Sequence, residues 1–392
     1  MKQPYGIKDI HFWRITLSLA LASFFIFATM YGTQPLLTVF VGEFGVTVST
    51  ASLSMSLTII GLIVGLLLFG FLSDRYGRTS FIKLSLLGST IPFLIMPWFS
   101  PFPVLLVLRF LQGIALAGLP AAALAYLSEE INSRSIGTAT ALYISSNALG
   151  GMAGRVAAGY ITDMFSWETT FYALAVLGII VFILVLVLLP QSRLFYPSNL
   201  SFKKDIAAFL YHLKNPALLL VFGLGIILQF SFTGIWTYLP FHLQGHPYSL
   251  SLQTISNTYF AYGLGVVGSP VAGWFAGKFG WQKLRLLGII ILAAGIWMTL
   301  STSFIIIVIG LCITCLGFFT AHALTATSVS ETATHHKGSA SSLYLVSYYI
   351  GVSFGSTAAA PIWGKGGWTG LVMFAALLPV MYILLVEWLA RK

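Results

Sequence analysis

Long runs of hydrophobic residues, separated by short polar breaks, repeat along the whole 392-residue chain. A helix that spans a bilayer needs about 20 mostly apolar residues, and the pattern predicts twelve such segments. Their approximate ranges are 13–40, 49–73, 81–99, 103–127, 135–161, 169–190, 216–240, 252–276, 284–302, 304–328, 338–362 and 368–389. The predicted fold class is therefore an all-α integral membrane protein.

The composition agrees with this prediction. Hydrophobic residues make up 58% of the chain and charged residues 8%, whereas a typical soluble protein is roughly 25% charged. The net charge is +10, yet every Lys and Arg except Arg109, Arg155 and Lys365 falls in or beside a cytoplasmic segment if the N-terminus is cytoplasmic. This bias predicts that both termini are cytoplasmic and that the basic residues contact membrane lipids, not nucleic acid.

One long polar stretch, 191–215, divides the chain into two halves of six predicted helices each. We expect it to be a cytoplasmic linker that carries a short amphipathic helix, at about 203–214, on the membrane surface. The expected domains are therefore an N-terminal six-helix bundle at 1–190 and a C-terminal six-helix bundle at 216–392.

The two halves share sequence patterns. The segment GTATALYISSNALGGMAG (137–154) matches GSASSLYLVSYYIGVSFG (338–355), and GFLSDRYGRTS (70–80) matches GWFAGKFGWQK (273–283). A duplicated six-helix unit is typical of transporters, whose substrate site lies at mid-membrane between the two repeats.

Several segments resemble the major facilitator superfamily of transporters. GFLSDRYGR resembles the loop signature of that superfamily, and LRFLQGIALAG (108–118) resembles the fourth-helix motif of its drug:proton antiporter branch. YLSEEI, LYISSNALGGMAGR and KGSASSLYLVSYYIG further resemble the acriflavine-sensitivity branch of bacterial efflux proteins. The resemblance implies two pseudo-symmetric six-helix bundles in the bacterial inner membrane. It also implies a monomer that exports small organic solutes, coupled to protons, by alternating access.

The resemblance assigns a gating role to the loop between the second and third helices. In the family, the motif carboxylate, here Asp74, meets the N-terminal end of the eleventh helix, near Lys337 and Gly338, where an anion is favourable. The motif arginines pair with acids on the cytoplasmic face, for which Glu129 and Glu130 are available. The alternative is that these charges only set topology. The expected gating residues are Gly70, Asp74, Arg75, Gly77, Arg78, Glu129 and Glu130.

Charged residues inside spans are costly and are candidates for function. All ten Asp and Glu lie in loops or near helix ends, whereas Arg109, Arg155 and His322 lie inside predicted spans. Arg109 matches the antiporter motif arginine, which stays protonated, so we expect it to bias a titratable neighbour or to hold an anion. Arg155, whose counterpart in the repeat is Ser356, is expected to face an aqueous cavity. For each arginine the alternative is a structural hydrogen bond between helices.

His322 is a candidate proton carrier, because histidine titrates near neutral pH, although a lone histidine in an apolar helix more often serves as a hydrogen-bonded structural residue. Glu43 or Asp163 would be next, and a satisfied structural histidine is the alternative. Polar and aromatic residues of several helices are candidates for the cavity lining, although aromatic residues also serve packing. These candidates are Tyr31, Gln34, Gln112, Asn147, Gln229, Trp236, Asn257, Tyr262 and Tyr348.

The sequence argues against enzymes and against ATP as the energy source. It has no nucleotide-binding loop with Gly-Lys-Ser/Thr, and no paired carboxylates or nucleophile with a base at membrane depth. Cys312 and Cys315 form a Cys-x-x-Cys without a second ligand pair, so we expect no metal and no cofactor. Two arginines without membrane acids leave an alternative open, the uptake or exchange of an anionic or neutral polar metabolite by Arg109 and Arg155. A receptor without transport is a further alternative.

Overall fold

A computed structural model describes residues 3–197, 202–335 and 337–390, and within these ranges the regular structure is helical, with no named strand. The all-α prediction is therefore confirmed. The first half of the chain forms α1 (Ile10–Tyr31), α2 (Leu37–Phe44), α3 (Val48–Tyr76), α4 (Arg78–Ile95), α5 (Phe102–Leu116), α6 (Gly118–Glu130), α7 (Ile136–Met164) and α8 (Trp167–Leu188). The rest forms α9 (Phe202–Leu213), α10 (Pro216–Gln244), α11 (Leu252–Asn257), α12 (Tyr262–Phe279), α13 (Trp281–Met298), α14 (Phe304–Thr332), α15 (Lys337–Thr357) and α16 (Ala360–Ala390).

Nine helical segments in the described part of the chain are long and apolar enough to cross a membrane. The other three predicted spans correspond to α7, to α11 with α12, and to α15. These helices are rich in Gly, Ala, Ser and Thr, which lowers their hydropathy. Small residues of this kind favour close packing between helices.

The first predicted span is not one continuous helix. α1 ends at Tyr31, and α2 begins at Leu37. Pro35 explains the break, because proline lacks a backbone N–H and disfavours the helical conformation at the preceding residue, Gln34. The eighth span is also interrupted, by a 3-10 turn between α11 and α12. The last span is separated from the segment before it by Gly367, which has a positive φ of 56°.

The chain forms two compact units. The first comprises Met1–Val46 and Leu57–Asn199, and the second comprises Thr47–Ser56 and Leu200–Lys392. The first turns of α3 therefore belong to the second unit. α9 lies at the predicted amphipathic segment of the linker, and its Leu210 and Tyr211 are exposed. The location of α9 on a membrane surface stays a prediction.

In the first unit, two glycines allow α7 to pack directly against the backbone of α1. A Cβ on Gly150 would lie 2.1 Å from the carbonyl oxygen of Phe24, and a Cβ on Gly154 would lie 2.5 Å from the Cα of Ala28. Neither position has room for a side chain. The two helices are therefore held at backbone contact, as in small-residue helix pairs of membrane proteins.

The second unit repeats this contact at the residues that the sequence repeat aligns. A Cβ on Gly351 of α15 would lie 2.5 Å from the oxygen of Ile226, and one on Gly355 would lie 2.6 Å from the oxygen of Phe230. Ile226 and Phe230 of α10 each lie 202 residues after Phe24 and Ala28. By the same offset, Gln34 of the first unit corresponds to Trp236 of the second.

The matched loops also share a backbone conformation. Gly77 precedes α4 with a φ of 99°, and Gly280 precedes α13 with a φ of 86°. A positive φ is easily adopted only by glycine. The two loops therefore make the same turn, although only the first carries the aspartate and the two arginines.

Candidate functional site

Arg109 of α5 is fully buried in the first unit, beside the end of α1. Its Nη2 donates to Thr33 Oγ1 at 3.0 Å and to Met30 O at 3.3 Å, and its Nη1 donates to Thr29 O at 3.4 Å. Nη1 also lies 2.5 Å from Gln112 Oε1. The guanidinium thus contacts the last turn of α1 and the break that follows it from one fixed position.

Gln112 extends this network to a third helix. While its oxygen accepts from Arg109, its Nε2 donates to Ser89 O of α4 at 2.6 Å. Gln112 is itself fully buried. The predicted site residues Arg109 and Gln112 therefore form one hydrogen-bonded unit that joins α1, α4 and α5.

Arg155 of α7 approaches the same break from another side. Its Nε donates to Gln34 Oε1 at 2.6 Å, and its Nη1 donates to Gly151 O at 2.7 Å. The guanidinium carbon lies 4.1 Å from the centre of the Tyr31 ring, a cation–π contact. Only 4% of Arg155 is exposed. Its expected position facing an aqueous cavity stays a prediction.

The two arginines therefore converge on residues 29–34, where α1 loses its helical hydrogen bonds. The last carbonyls of a helix have no intrahelical donors, and the helix dipole makes that end partly negative. Arg109 donates to two of these carbonyls, those of Thr29 and Met30, whereas Arg155 donates to the side chain of Gln34 in the break. Of the first-unit cavity candidates, Tyr31, Gln34 and Gln112 meet here, whereas Asn147 lies elsewhere and hydrogen-bonds Ser23.

The second-unit candidates gather in an aromatic cluster that contains His322. Tyr344 Oη lies 2.9 Å from His322 Nδ1. The His322 ring stacks on Phe318, with centroids 5.6 Å apart, and lies 4.9 Å from the Tyr348 ring. Further along, Trp236 lies 4.8 Å from Tyr262. Asn257, in contrast, is exposed at the end of α11.

The charged turn after α3 places Arg78 among three polar groups. Its guanidinium contacts Asp74 of the same turn and Ser73 Oγ at 3.1 Å. It also donates to Glu129 Oε1 from Nε at 3.1 Å and from Nη2 at 3.0 Å. Arg78 thus joins the α3–α4 turn to the end of α6, as one of the two expected ion pairs requires.

Glu130 makes different contacts from those expected. Its Oε1 accepts from Ser192 Oγ at 2.8 Å and from the backbone N–H groups of Arg193 and Leu194 at 2.5 and 2.9 Å. Its Oε2 lies 3.8 Å from Arg193 Nε. Glu130 therefore holds the start of the linker, and Glu129 alone of the two acids pairs with Arg78 in the part of the chain that the structure describes.

The other motif residues have simpler environments. Arg75 lies over the Phe71 ring, 3.9 Å from its centre. A Cβ on Gly70 would meet nothing within 4 Å, so local packing does not require glycine there, whereas the positive φ of Gly77 does favour it. The expected contact of Asp74 with the start of the eleventh helix stays a prediction.

Comparison with known proteins identifies the family. The family model of the Major Facilitator Superfamily matches residues 19–356. This chain belongs to the Major Facilitator Superfamily. It is 35% identical over 381 residues to the uncharacterized MFS-type transporter YybF of Bacillus subtilis, covering 97% of this chain and 94% of YybF. It is 34% identical to the inner membrane transport protein YnfM of Escherichia coli, covering 97% and 91%.

More distant similarities agree with this family. The chloramphenicol resistance protein CraA of Acinetobacter baumannii is 31% identical over 171 residues, 43% of this chain and 41% of CraA. Among solved structures, a bacterial homolog of the human lysosomal transporter Spinster superposes with a TM-score of 0.76 at 16% identity, covering 97% of this chain and 96% of that one. The twelve-helix fold of the superfamily is therefore confirmed, and the chain is a multi-pass membrane protein of a transporter family.

The superfamily signature did not point to every residue of the site. Tyr344, Phe232 and Tyr259 were not among the predicted residues. Tyr344 could have been found, since the Leu-Tyr pair of α15 repeats the Leu142-Tyr143 pair of α7. The described residues contain no group of three or more His, Cys, Asp or Glu that could hold a metal ion.

Proposed function

We propose that this chain is a secondary active transporter that exports small organic solutes in exchange for protons, by alternating access of its two six-helix repeats. Its family membership and the resemblance of its fourth-helix motif to the drug:proton antiporters support this proposal. The partial similarity to a chloramphenicol resistance protein points the same way. The proposed transporter acts as a monomer in the bacterial inner membrane.

The His322–Tyr344 pair carries the proton-coupling part of the proposal. His322 lies in the middle of α14, hydrogen-bonded to Tyr344 Oη through Nδ1. All ten acidic residues of the chain lie near helix ends or in loops. We therefore assign the proton that moves opposite to the solute to His322, which lies at mid-span and whose residue type changes charge in the physiological pH range.

The surroundings of the arginines favour this proposal over the transport of an anion. Arg109 and Arg155 both donate to protein acceptors around the α1 break. An anionic substrate would have to compete with these hydrogen bonds. We therefore assign the two arginines to the architecture of the first unit and the proton to the second.

Transport by purified protein in liposomes tests the proposal. An imposed pH gradient should drive chloramphenicol accumulation in wild-type vesicles. H322Q should lose gradient-driven accumulation at least about tenfold, because glutamine keeps hydrogen-bonding capacity but carries no proton. It should retain exchange of labelled for unlabelled chloramphenicol, since exchange needs no net proton movement.

H335Q, at the loop after α14, serves as the control and should transport like the wild type. If H322Q keeps gradient-driven accumulation, His322 is not the proton carrier. If the wild type shows exchange but no response to the gradient, the chain is not proton-coupled.

A further inference from the structure

The second unit contains a chain of aromatic rings contributed by four neighbouring elements. Trp236 of α10 stacks on Tyr259, with centroids 5.2 Å apart. Phe232, one turn earlier on α10, stacks on Phe318 of α14 at 3.9 Å and meets Tyr262 at 5.4 Å. Through Phe318 the rings continue to the His322 cluster described above. The rings are buried in the second unit and lie within stacking distance of one another.

Four buried polar atoms on α10 have no hydrogen-bond partner in the described part of the chain, and two of them belong to Trp236 and Gln229. Trp236 is fully buried, and its Nε1 has no acceptor. Gln229 is 3% exposed, and its Oε1 has no donor. Most buried polar groups in proteins are paired, and an unpaired one destabilises the fold. Such a cost is tolerated where the group serves a ligand.

These two atoms lie on one face of α10. Gln229 and Trp236 are seven residues apart, which is two helical turns, and Phe232 lies between them on the same side. A donor and an acceptor thus flank an aromatic ring, about 10 Å apart along the helix axis at 1.5 Å per residue. This spacing matches a solute of two fused rings with polar groups at its ends.

The first unit has different chemistry at the equivalent place. Gln34, the counterpart of Trp236, accepts from Arg155 at 2.6 Å. The counterpart of Arg155 is Ser356, whose hydroxyl donates to Ser353 O instead. The second unit therefore places an N–H donor, that of Trp236, where the first unit has an oxygen acceptor paired with an arginine.

We propose that the aromatic cluster around Trp236 binds a neutral, planar aromatic solute, with the Trp236 N–H donating to an acceptor on the solute and Gln229 Oε1 accepting from a donor on it. This inference rests on the proposed transport function and names its substrate class. A cationic solute would gain from the ring faces, but it would meet an N–H donor and no carboxylate. An anionic solute would meet no cation among Gln229, Trp236 and the rings.

Binding to the full-length protein in lipid nanodiscs tests the proposal. The probe is 6-hydroxynaphthalene-2-carboxamide, which has a carbonyl acceptor at one end and a hydroxyl donor at the other. Three matched compounds accompany it: its fully saturated decahydro analogue, 6-hydroxy-2-naphthoate and 6-hydroxy-2-naphthyltrimethylammonium. We expect the amide to bind at least about tenfold more tightly than each of the three, a difference of about 1.4 kcal/mol. Equal or tighter binding of the saturated amide or of either ion would overturn the proposal.

Two variants test the polar contacts. W236F keeps a ring but removes the N–H, and Q229L keeps the size but removes the acceptor. Each should weaken amide binding about five- to tenfold, as the loss of one buried hydrogen bond does. W274F, at a tryptophan on α12 that is 59% exposed, should bind like the wild type. If W236F and Q229L both keep the wild-type affinity, the site is elsewhere.

The thermal unfolding midpoints of the unliganded variants identify a folding defect, and the two variants report on the site independently. The liposome experiment with H322Q remains a separate measurement. Amide binding that depends on Trp236 without gradient-driven transport would keep this site and end the proton-export proposal. Gradient-driven transport without such binding would keep the proton-export proposal and overturn the proposed site around Trp236.

Discussion

The two buried arginines of the first unit both contact polar groups near the end of α1. Arg109 donates to Met30 O and Thr33 Oγ1, and Arg155 donates to Gln34 Oε1. Four unpaired carbonyls and the negative end of the dipole make a helix C-terminus a natural place for a cation. Arg109 therefore satisfies backbone polar groups that the interruption would otherwise leave exposed inside the membrane, and Arg155 joins the Gln34 side chain of the interruption to α7.

Replacing each arginine by lysine tests this explanation. Lysine keeps the charge but lacks the planar fork of donors. R109K should lower the thermal unfolding midpoint more than R155K, because Arg109 is fully buried and contacts four acceptors. Each acceptor left without a donor costs about 1–3 kcal/mol. The midpoints are measured in one detergent by intrinsic fluorescence.

R134K, in the exposed loop between α6 and α7, is the matched control and should unfold like the wild type. Equal midpoints for R109K and the wild type would contradict a structural role. If R109K then lost transport without losing stability, Arg109 would have the coupling or substrate role that the antiporter motif implies.

Sequence patterns identified these residues but did not predict that they contact one another. Arg109, Arg155 and Gln34 could be singled out because polar residues are rare inside spans. Their pairing joins positions 76 to 121 residues apart, and no local pattern contains it. Pro35 indicates a break in α1, but the apolar run on both sides of it led to the prediction of one continuous span.

At the scale of elements, α7 packs against α1 in the same way as α15 packs against α10, through two glycines at backbone contact. Hydropathy predicts twelve spans, but small residues decide which spans touch at the backbone. The glycine pairs were visible in the sequence repeat as matched positions. The helices that these glycines contact could not be predicted, because a sequence repeat shows which positions are equivalent but not which residues pack against them.

The pair of variants G154A and G137A separates this packing from helix propensity. Both sites lie in α7, and alanine favours a helix over glycine by about 0.5–1 kcal/mol. At Gly154 the new methyl group would meet the Ala28 backbone at 2.5 Å, whereas at Gly137 it would meet nothing within 4 Å. G154A should therefore lower the unfolding midpoint and G137A should leave it unchanged or raise it. A neutral G154A would mean that α1 and α7 are not held at backbone contact.

At the scale of the whole molecule, one duplicated scaffold carries two chemistries. The first unit holds the buried arginines, the broken helix and the ion pairs of Arg78, whereas the second holds the aromatic cluster and His322. Pro35 corresponds to Thr237 in the repeat, so α10 continues where α1 breaks. The shared backbone was predictable from the sequence repeat. The different roles of the two units depend on differences at single aligned positions, and a repeat pattern does not show which of these differences matter.

The orientation of this asymmetric molecule in the membrane decides what its parts do. The distribution of Lys and Arg predicts that the α6–α7 loop is cytoplasmic and that the α13–α14 loop is outside. In a background of C312A and C315A, S133C and S303C place one cysteine in each of these exposed loops. An impermeant maleimide added to intact cells should label S303C and spare S133C, while both should react in opened membranes.

Labelling of S133C alone in intact cells would show that the topology is the opposite of the predicted one. The Arg78 ion pairs and the Glu130 contacts with the linker would then lie on the outer face, where they could not close a cytoplasmic gate. His322 would also face the opposite direction along the proton gradient, so a proton moving inward would reach it from the other end of α14. The expected labelling therefore supports more than an orientation, because both the gating prediction for Asp74 and Arg78 and the proposed direction of export depend on it.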